Sequence, residues 1–408
     1  MYAPKDINKA KWLGRDACSA RRNIFLLRST RGTRTGVHLK FFVSRANPTP
    51  ELELSDPTST LVDDPTAVMP DSDPTAADAE WKKIQQNTFT RWINEQLKPA
   101  GKYVYNVETD LGDGLILIAL LDQLIASDGR SPDLPRCNKR PVFKSQRLEN
   151  ISIVLKKIED EQIRLVNIDA SDILKGNLKL ILGLIWTLIL KYQISLDSSS
   201  KTPKQAMLEW INTVLPDRCI TNFTTDWNDG IALSALINFC DPTLLTNVKS
   251  LDPASALDNC THAIQLAKDK FEIPQILDPA DMNNPKVDEL SVMTYLSYFP
   301  RKGGPGWKTT LNWVRNKVPE LNVQNFQSDW NDGRVLCALA EAVAEGACPE
   351  WRELNKDEKL ANCQKGIEAG TKLGIKPTLS AQQLMSHDVK EHDVLFYAVH
   401  FQLFELKQ

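Results

Sequence analysis

The chain has 408 residues, 42% of them apolar and 25% charged, with a formal net charge of −3, the make-up of a globular polypeptide of two to four domains. No window of eighteen uncharged apolar residues exists, which excludes a membrane-spanning helix. Eight scattered cysteines without a C-x-x-C exclude a zinc quartet and fit a reduced intracellular compartment, most of them acting as small buried apolar residues.

The near-neutral total hides an asymmetry. Residues 1–50 hold eleven Lys/Arg against two Asp/Glu, and residues 51–80 hold nine acids and no base. The remaining 328 residues sum to −3, so the folded part carries no electrostatic signature of a nucleic-acid binder. Residues 1–78 lack a sustained helical period, and their second part is acidic and rich in Pro, Ser, Thr and Ala, so a disordered tail is expected there. The Arg-rich, acid-poor first half has the composition of a transit peptide or a polybasic arm, set against a solvated tail that partly neutralises itself.

From Trp81 the pattern turns helical. Phe89, Trp92, Ile93 and Leu97 share one face, while Thr88, Arg91, Asn94 and Glu95 fall elsewhere, which predicts an amphipathic helix with an open polar side. Asp110-Leu-Gly-Asp-Gly114 then opens an apolar helix from Leu115 to Ile125 through turn-forming residues. A third helix is predicted from about Ser145 to Glu161, and Ser171 to Lys175 makes a short turn ending at Gly176. Asn177 to Tyr192, NLKLILGLIWTLILKY, is the longest nearly unbroken apolar run. At ~1.5 Å per residue it reaches ~22 Å, short of a ~30 Å hydrocarbon core, so it reads as a buried central helix. Its non-apolar residues Lys179, Gly183, Thr187 and Lys191 recur every four positions as one narrow stripe open to water or a partner.

Residues 194–203, ISLDSSSKTP, read as a polar linker. After it the chain repeats itself. Trp210, Pro216, Asn222, Phe223 and Asp226-Trp-Asn-Asp-Gly230 return 103 positions later as Trp313, Pro319, Asn325, Phe326 and Asp329-Trp-Asn-Asp-Gly333. Asn259-Cys260 becomes Asn362-Cys363 at the same offset, and Val292 and Tyr295 become Val394 and Tyr397 after a one-residue slip. The first unit joins the set through Trp92 and Asp110-x-x-Asp113-Gly114. The fold class is therefore all-α, three helical domains in series, with Pro300 to Gly306, PRKGGPG, as a hinge. The expected boundaries are a tail at 1–78, domains at 79–194, 204–300 and 307–408, a linker at 195–203 and a hinge at 301–306.

Three motifs fall short of chemistry. Gly303-Gly-Pro-Gly-Trp-Lys308 lacks the Gly that a phosphate loop places directly before its Lys. Asp226-Trp-Asn-Asp-Gly230 has its Gly one place early for a calcium loop and no Glu at the twelfth position, so it reads as a helix-start turn. His387 and His392 are out of register for a zinc pair. With five histidines in the chain and none in the first folded unit, no triad can be drawn; no enzyme activity, metal or cofactor is expected.

Residues 83–300 resemble the tandem calponin-homology actin-binding region of filamins. The stretches that carry the resemblance are NTFTRWINEQL (87–97), TDLGDGLILIALLDQL (109–124), RLVNIDASDILKGNLKLILGLIWTLILKYQIS (164–195), TPKQAMLEWI (202–211), ITNFTTDWNDG (220–230) and VDELSVMTYLSYFP (287–300). The resemblance implies a cytoplasmic protein of the actin cytoskeleton that binds filaments mainly through its first domain, while the second packs on the first and tunes access. The implied contacts in the first domain are the polar face around Thr88, Arg91, Asn94 and Glu95, and the helix start at Asp113 and Gly114. A third implied group runs from Asn167 and Asp169 through Lys175, Gly176, Asn177, Lys179, Gly183 and Thr187 to Lys191. Lys204 and Gln205 on the second domain's first helix are a minor implied contact.

The third unit departs from the usual pair, since filamins continue instead into immunoglobulin-like repeats; three-domain filamin-type proteins of invertebrates are similar, and the chain reads as a short isoform or a fragment of such a protein. The third unit is expected to be accessory and to carry a regulatory partner, and the 194–203 linker is expected to let the first two domains open. A signalling or microtubule adaptor is the alternative reading, because single domains of this type often do not bind actin.

Overall fold

Three copies of one helical plan follow each other in the computed structural model, which describes residues 76–194 and 202–408. The tail at 1–75 and linker residues 195–201 lie outside the described residues. All regular elements among the described residues are helical. The first unit consists of α1 (Ala76–Leu97), α2 (Val107–Asp110), α3 (Leu115–Ser127), α4 (Lys144–Asp160), α5 (Ala170–Leu174) and α6 (Leu178–Ile189). In the second unit α7 (Pro203–Val214), α8 (Ile231–Cys240), α9 (Ala256–Phe271), α10 (Pro279–Asn283) and α11 (Glu289–Leu296) repeat that order, with a 3-10 turn at Thr225–Trp227 in place of α2. The third unit repeats it again as α12 (Pro305–Lys317), α13 (Arg334–Val343), α14 (Lys359–Lys372), α15 (Ala381–Met385) and α16 (Glu391–Leu406).

The apolar run begins where its polar start signals allow. Asn177 takes an extended conformation and its side chain accepts from the Leu180 N–H, which caps α6. Ile181, Leu182, Leu184, Ile185, Leu188 and Ile189 are buried, and Trp186 stacks on Phe89 of α1 with ring centroids 6.2 Å apart. The α-helix ends at Ile189 and continues as a π turn, Leu190–Ile194, so the last turn of the expected helix is wider than a regular one. Lys179 and Gly183 are exposed, whereas Thr187 and Lys191 are half-buried; the predicted stripe is open at its N-terminal end.

One device fixes all three units. The Asp-Gly pair before the second long helix places Gly114 at φ +77°, where its carboxylate neighbour Asp113 accepts from the Leu115 N–H at 2.8 Å. A Cβ at Gly114 would lie 2.7 Å from the Asn150 Cβ, so α4 crosses the turn at a distance only glycine permits. Asn150 is buried and closes the lock, donating to the Asp113 and Asn138 carbonyls at 3.0 Å each and accepting from the Asn138 N–H at 2.8 Å. Asn259 donates in the same way to Asp229 and Asp252, and Asn362 to Asp332 and Asn355.

In the segment at 301–306, expected as a hinge, residues 301–303 are exposed and residues 304–306 form a packed turn. Gly304, Pro305 and Gly306 are buried, the Gly306 N–H donates to the Phe299 carbonyl at 3.0 Å, and a Cβ at Gly304 would lie 2.4 Å from the Tyr298 carbonyl oxygen. The glycines and prolines of PRKGGPG serve close approach and helix initiation, with Pro305 in the first turn of α12.

Candidate functional site

The first helix carries four of the predicted contacts, and its surroundings differ from expectation. Thr88 and Asn94, expected on an open polar face, are buried. The helix α1 lies between the core of its own unit and the second unit. Asn94 is spent locally: its amide donates to the Val104 carbonyl at 2.9 Å and accepts the Val104 N–H at 2.7 Å. Asn212 makes the same pair of bonds to Ile220 in the second unit, at 2.7 and 2.8 Å. Arg91 is turned toward the second unit, where it pairs with Asp278 and lies 3.9 Å from Asp281. Glu95 pairs with Lys98 along the chain.

Further polar contacts complete this clamp between the two units. Gln85 donates to Asp288 at 3.1 Å, Glu80 accepts from Asn284 at 2.6 Å and from Lys286 at 2.9 Å, and Gln193 donates to Ser297 at 3.2 Å. Burial pushes the Asp288 carboxyl up to about 6, with hydrogen bonds from Ser291 and Gln85 opposing that rise. Burial and the neighbouring Asp278 also raise Asp281, against the pull of Arg91.

The other predicted residues fall into two classes. Asp113, Gly114 and Gly176 are architectural: the first two form the lock, and a Cβ at Gly176 would lie 2.6 Å from the Glu108 carbonyl oxygen. Asp169 caps α5, and its carboxyl is held below the usual range by hydrogen bonds from Ser171 and Asp172. Asn167, Asp169, Lys175, Asn177 and Lys179 are all exposed. On the second unit, Lys204 pairs with Glu289 at 2.7 Å and Gln205 completes a capping box with Thr202.

A shallow cleft lined by Glu108, Asp110, Asp113, Arg147, Leu174 and Lys175 brings two of the predicted groups together with the start of α4. That start was not singled out from the sequence. Val142 and Phe143 are 74% and 69% exposed, an unusual display of apolar surface, and Arg136, Lys139, Arg140, Lys144 and Arg147 around them are exposed as well. Gln146 holds the pair in place by accepting from both backbone N–H groups, at 3.0 and 3.1 Å. A signal was available. KRPVFK (139–144) sets two large apolar residues between cations just before a helix whose buried side chains begin at Asn150 and Ile151.

The sequence profile of the calponin homology (CH) domain matches residues 83–194, 201–305 and 304–406. The chain belongs to the calponin homology family. Its three CH domains, CH1, CH2 and CH3, begin with a filamin-type tandem. Filamin-A of Drosophila melanogaster is 51% identical over 262 residues, which is 60% of this chain and 12% of that protein. Filamin-C of Rattus norvegicus is 48% identical over 235 residues, 55% of this chain and 8% of that protein. Interaptin of Dictyostelium discoideum is 38% identical over 236 residues, 55% of this chain and 13% of that protein. The chain thus spans a small part of the length of these relatives. CH2 and CH3 follow each other without a linker, their matches sharing residues 304–305.

Buried thiols add no reactive group. Cys240, Cys260, Cys337, Cys348 and Cys363 are buried and reduced, and burial raises the thiols of Cys260 and Cys363 to about 12. Among the described residues no group of three or more His, Cys, Asp or Glu is arranged to hold a metal ion, and no helix is long and apolar enough to cross a membrane.

Proposed function

We propose that this chain is a non-enzymatic actin-filament-binding module of the cytoplasmic cytoskeleton, in which CH1 makes the main contact, CH2 limits access to it and CH3 is accessory. The observation that carries this reading is the open surface of CH1 at 136–147, where two exposed apolar side chains sit among five exposed cations and adjoin the cleft that holds Lys175. Exposed ion pairs contribute only ~0.2 to 1 kcal/mol each, whereas burying Val142 and Phe143 is worth ~2 kcal/mol apiece. Charge therefore orients the acidic filament and apolar contact holds it. The filamin relatives support the same assignment to the tandem.

Under this reading the clamp on α1 is the access control. Arg91, Gln85 and Glu80 are engaged with CH2, so any contact that the first helix makes to a filament requires CH2 to leave first. Co-sedimentation of the full chain with filaments tests the main contact. Replacing Val142 and Phe143 together with Ser is expected to weaken binding at least ~10-fold with helicity unchanged, because neither residue supports the core. A variant that sediments like the wild type would place the contact elsewhere, and a wild-type chain left in the supernatant under excess filament at low salt would end the reading.

A further inference from the structure

CH3 has no assigned role, and its contact with CH2 supplies one. The first helix of CH1, α1, lies against the last helix of CH2, α11. The first helix of CH2, α7, lies in turn against the last helix of CH3, α16. The repeat positions agree: Trp210 is the copy of Trp92, and Phe396, one residue before Tyr397, is the copy of Thr294. Trp210 stacks on Phe396 with centroids 6.3 Å apart, and both Trp92 and Trp210 are buried. Trp313, the third copy, is half-buried, its indole N–H donating to Glu405 of its own domain at 3.0 Å. The face that holds this tryptophan is thus closed in CH1 and CH2 and partly open in CH3.

The two contacts use different chemistry. CH1 meets CH2 through ion pairs at partly exposed positions, which water can replace, and through two side-chain hydrogen bonds donated by buried residues, Gln85 to Asp288 and Gln193 to Ser297. CH2 meets CH3 through an aromatic stack, a Gly306 whose added Cβ would lie 3.0 Å from the Trp210 ring, and a hydrogen bond from Thr309 to the Cys240 carbonyl at 2.7 Å that satisfies the last turn of α8. The connecting turn is buried at Gly304 to Gly306, Arg301 stacks over Tyr298 at 4.3 Å, and Lys302 pairs with Glu391 at 3.3 Å.

We propose that CH3 is the resident partner of CH2: it occupies the face of CH2's first helix, welds CH2 and CH3 into one rigid body, and leaves the CH1–CH2 contact as the joint of the three-domain chain. The proposal rests on the CH1–CH2 opening read above only for the word joint. The weld stands on the CH2–CH3 contact alone.

The experiment uses the full chain without filaments, reading hydrogen exchange at the amides of α7 and tryptic cleavage after Arg301 and Lys302. Arg301 and Lys302 are exposed, but the turn that holds them is anchored by the buried Gly304 to Gly306, so a protease reaches an extended backbone there only when that anchor opens. Phe396→Thr gives CH3 the residue that CH2 carries at Thr294, a helix that a domain of this kind folds with. It is expected to speed both readouts at least ~10-fold and to leave exchange in α1 unchanged. Wild-type cleavage as fast as that of the variant, or α7 exchange unchanged by the substitution, would overturn the proposal. Should Phe396→Thr also strip protection from α13 and α14, Thr309→Val decides: a ~3-fold gain in α7 exchange supports the weld and no gain overturns it. Because no filament is present, failure here leaves the filament reading intact, and failure to sediment leaves the weld intact.

Discussion

Two surfaces of CH1 exchange the roles that their side chains suggest. On the polar side of α1 Asn94 is held by Val104 of its own unit and Gln85 and Arg91 meet CH2, while the apolar pair Val142 and Phe143 at the start of α4 is open to solvent. In a multidomain chain polarity therefore marks the kind of contact more reliably than it marks exposure. A covered polar face is a contact that can be released, since water replaces its hydrogen bonds and ion pairs at small net cost. An open apolar pair held by its own backbone contacts has no such exchange available and gains free energy only by meeting a partner.

The comparison assumes that the open surface is held by the fold beneath it, and Asn150 is the residue that holds it. Asn150→Ala removes three hydrogen bonds and leaves the Asn138 N–H and the Asp113 and Asn138 carbonyls to find other partners. The expected loss is ~3 kcal/mol of CH1 stability, measured by denaturant titration, with filament binding falling in parallel as the start of α4 comes loose. A destabilised variant that still bound filaments at full strength would separate the open surface from the lock.

The covered surface is tested by releasing it. Arg91→Ala deletes the pairing with Asp278 and Asp281 across the joint, both partners being partly exposed. A half-exposed pair is worth at most ~1 kcal/mol, so opening should rise and apparent filament affinity should increase up to ~5-fold, since each ~1.4 kcal/mol is tenfold. A drop in affinity would mean that Arg91 faces the filament and that CH2 is not what covers the site.

Much of the fold was legible in the sequence because it rests on short-range signals. The Asp-Gly turns, the apolar period of α1 and α3 and the 103-residue repeat each act through neighbours in sequence or through one conserved internal spacing. Asn259 and Asn362 were visible only as the Asn-Cys copies and Asn150 not at all, because their work is to reach the carbonyls of Asp229, Asp332 and Asp113 in another helix's start. The candidate site was less legible. The pattern around Arg91 told which side of α1 leaves its own core, and nothing local told that Asp278 and Asp281 of CH2 return to meet it. The same limit turned PRKGGPG into an expected hinge: glycine serves flexibility and close approach equally well, and only the Tyr298 and Phe299 carbonyls decide between them.

The smallest effect concerns Asp288, a carboxyl at the joint that burial raises. Asp288 caps α11 by accepting from the Ser291 N–H at 3.0 Å and also accepts from Gln85 of CH1, so its burial depends on both domains being in place. Burial raises its carboxyl from 3.8 to about 6. The folded, docked state therefore holds a proton between about pH 4 and 6 that the unfolded chain has lost, and the burial cost is present in full above that window. Stability from this group rises as pH falls through about 6. Asp288→Asn keeps an acceptor for Gln85 and removes the titration. The wild type is expected to gain on Asp288→Asn by ~1 kcal/mol between pH 7 and pH 5, read as the difference of two denaturant midpoints at each pH so that other carboxylates cancel. A difference that stays constant across this range would mean that Asp288 remains charged and hydrated, and the joint would then be open more often than the contacts of Gln85 imply.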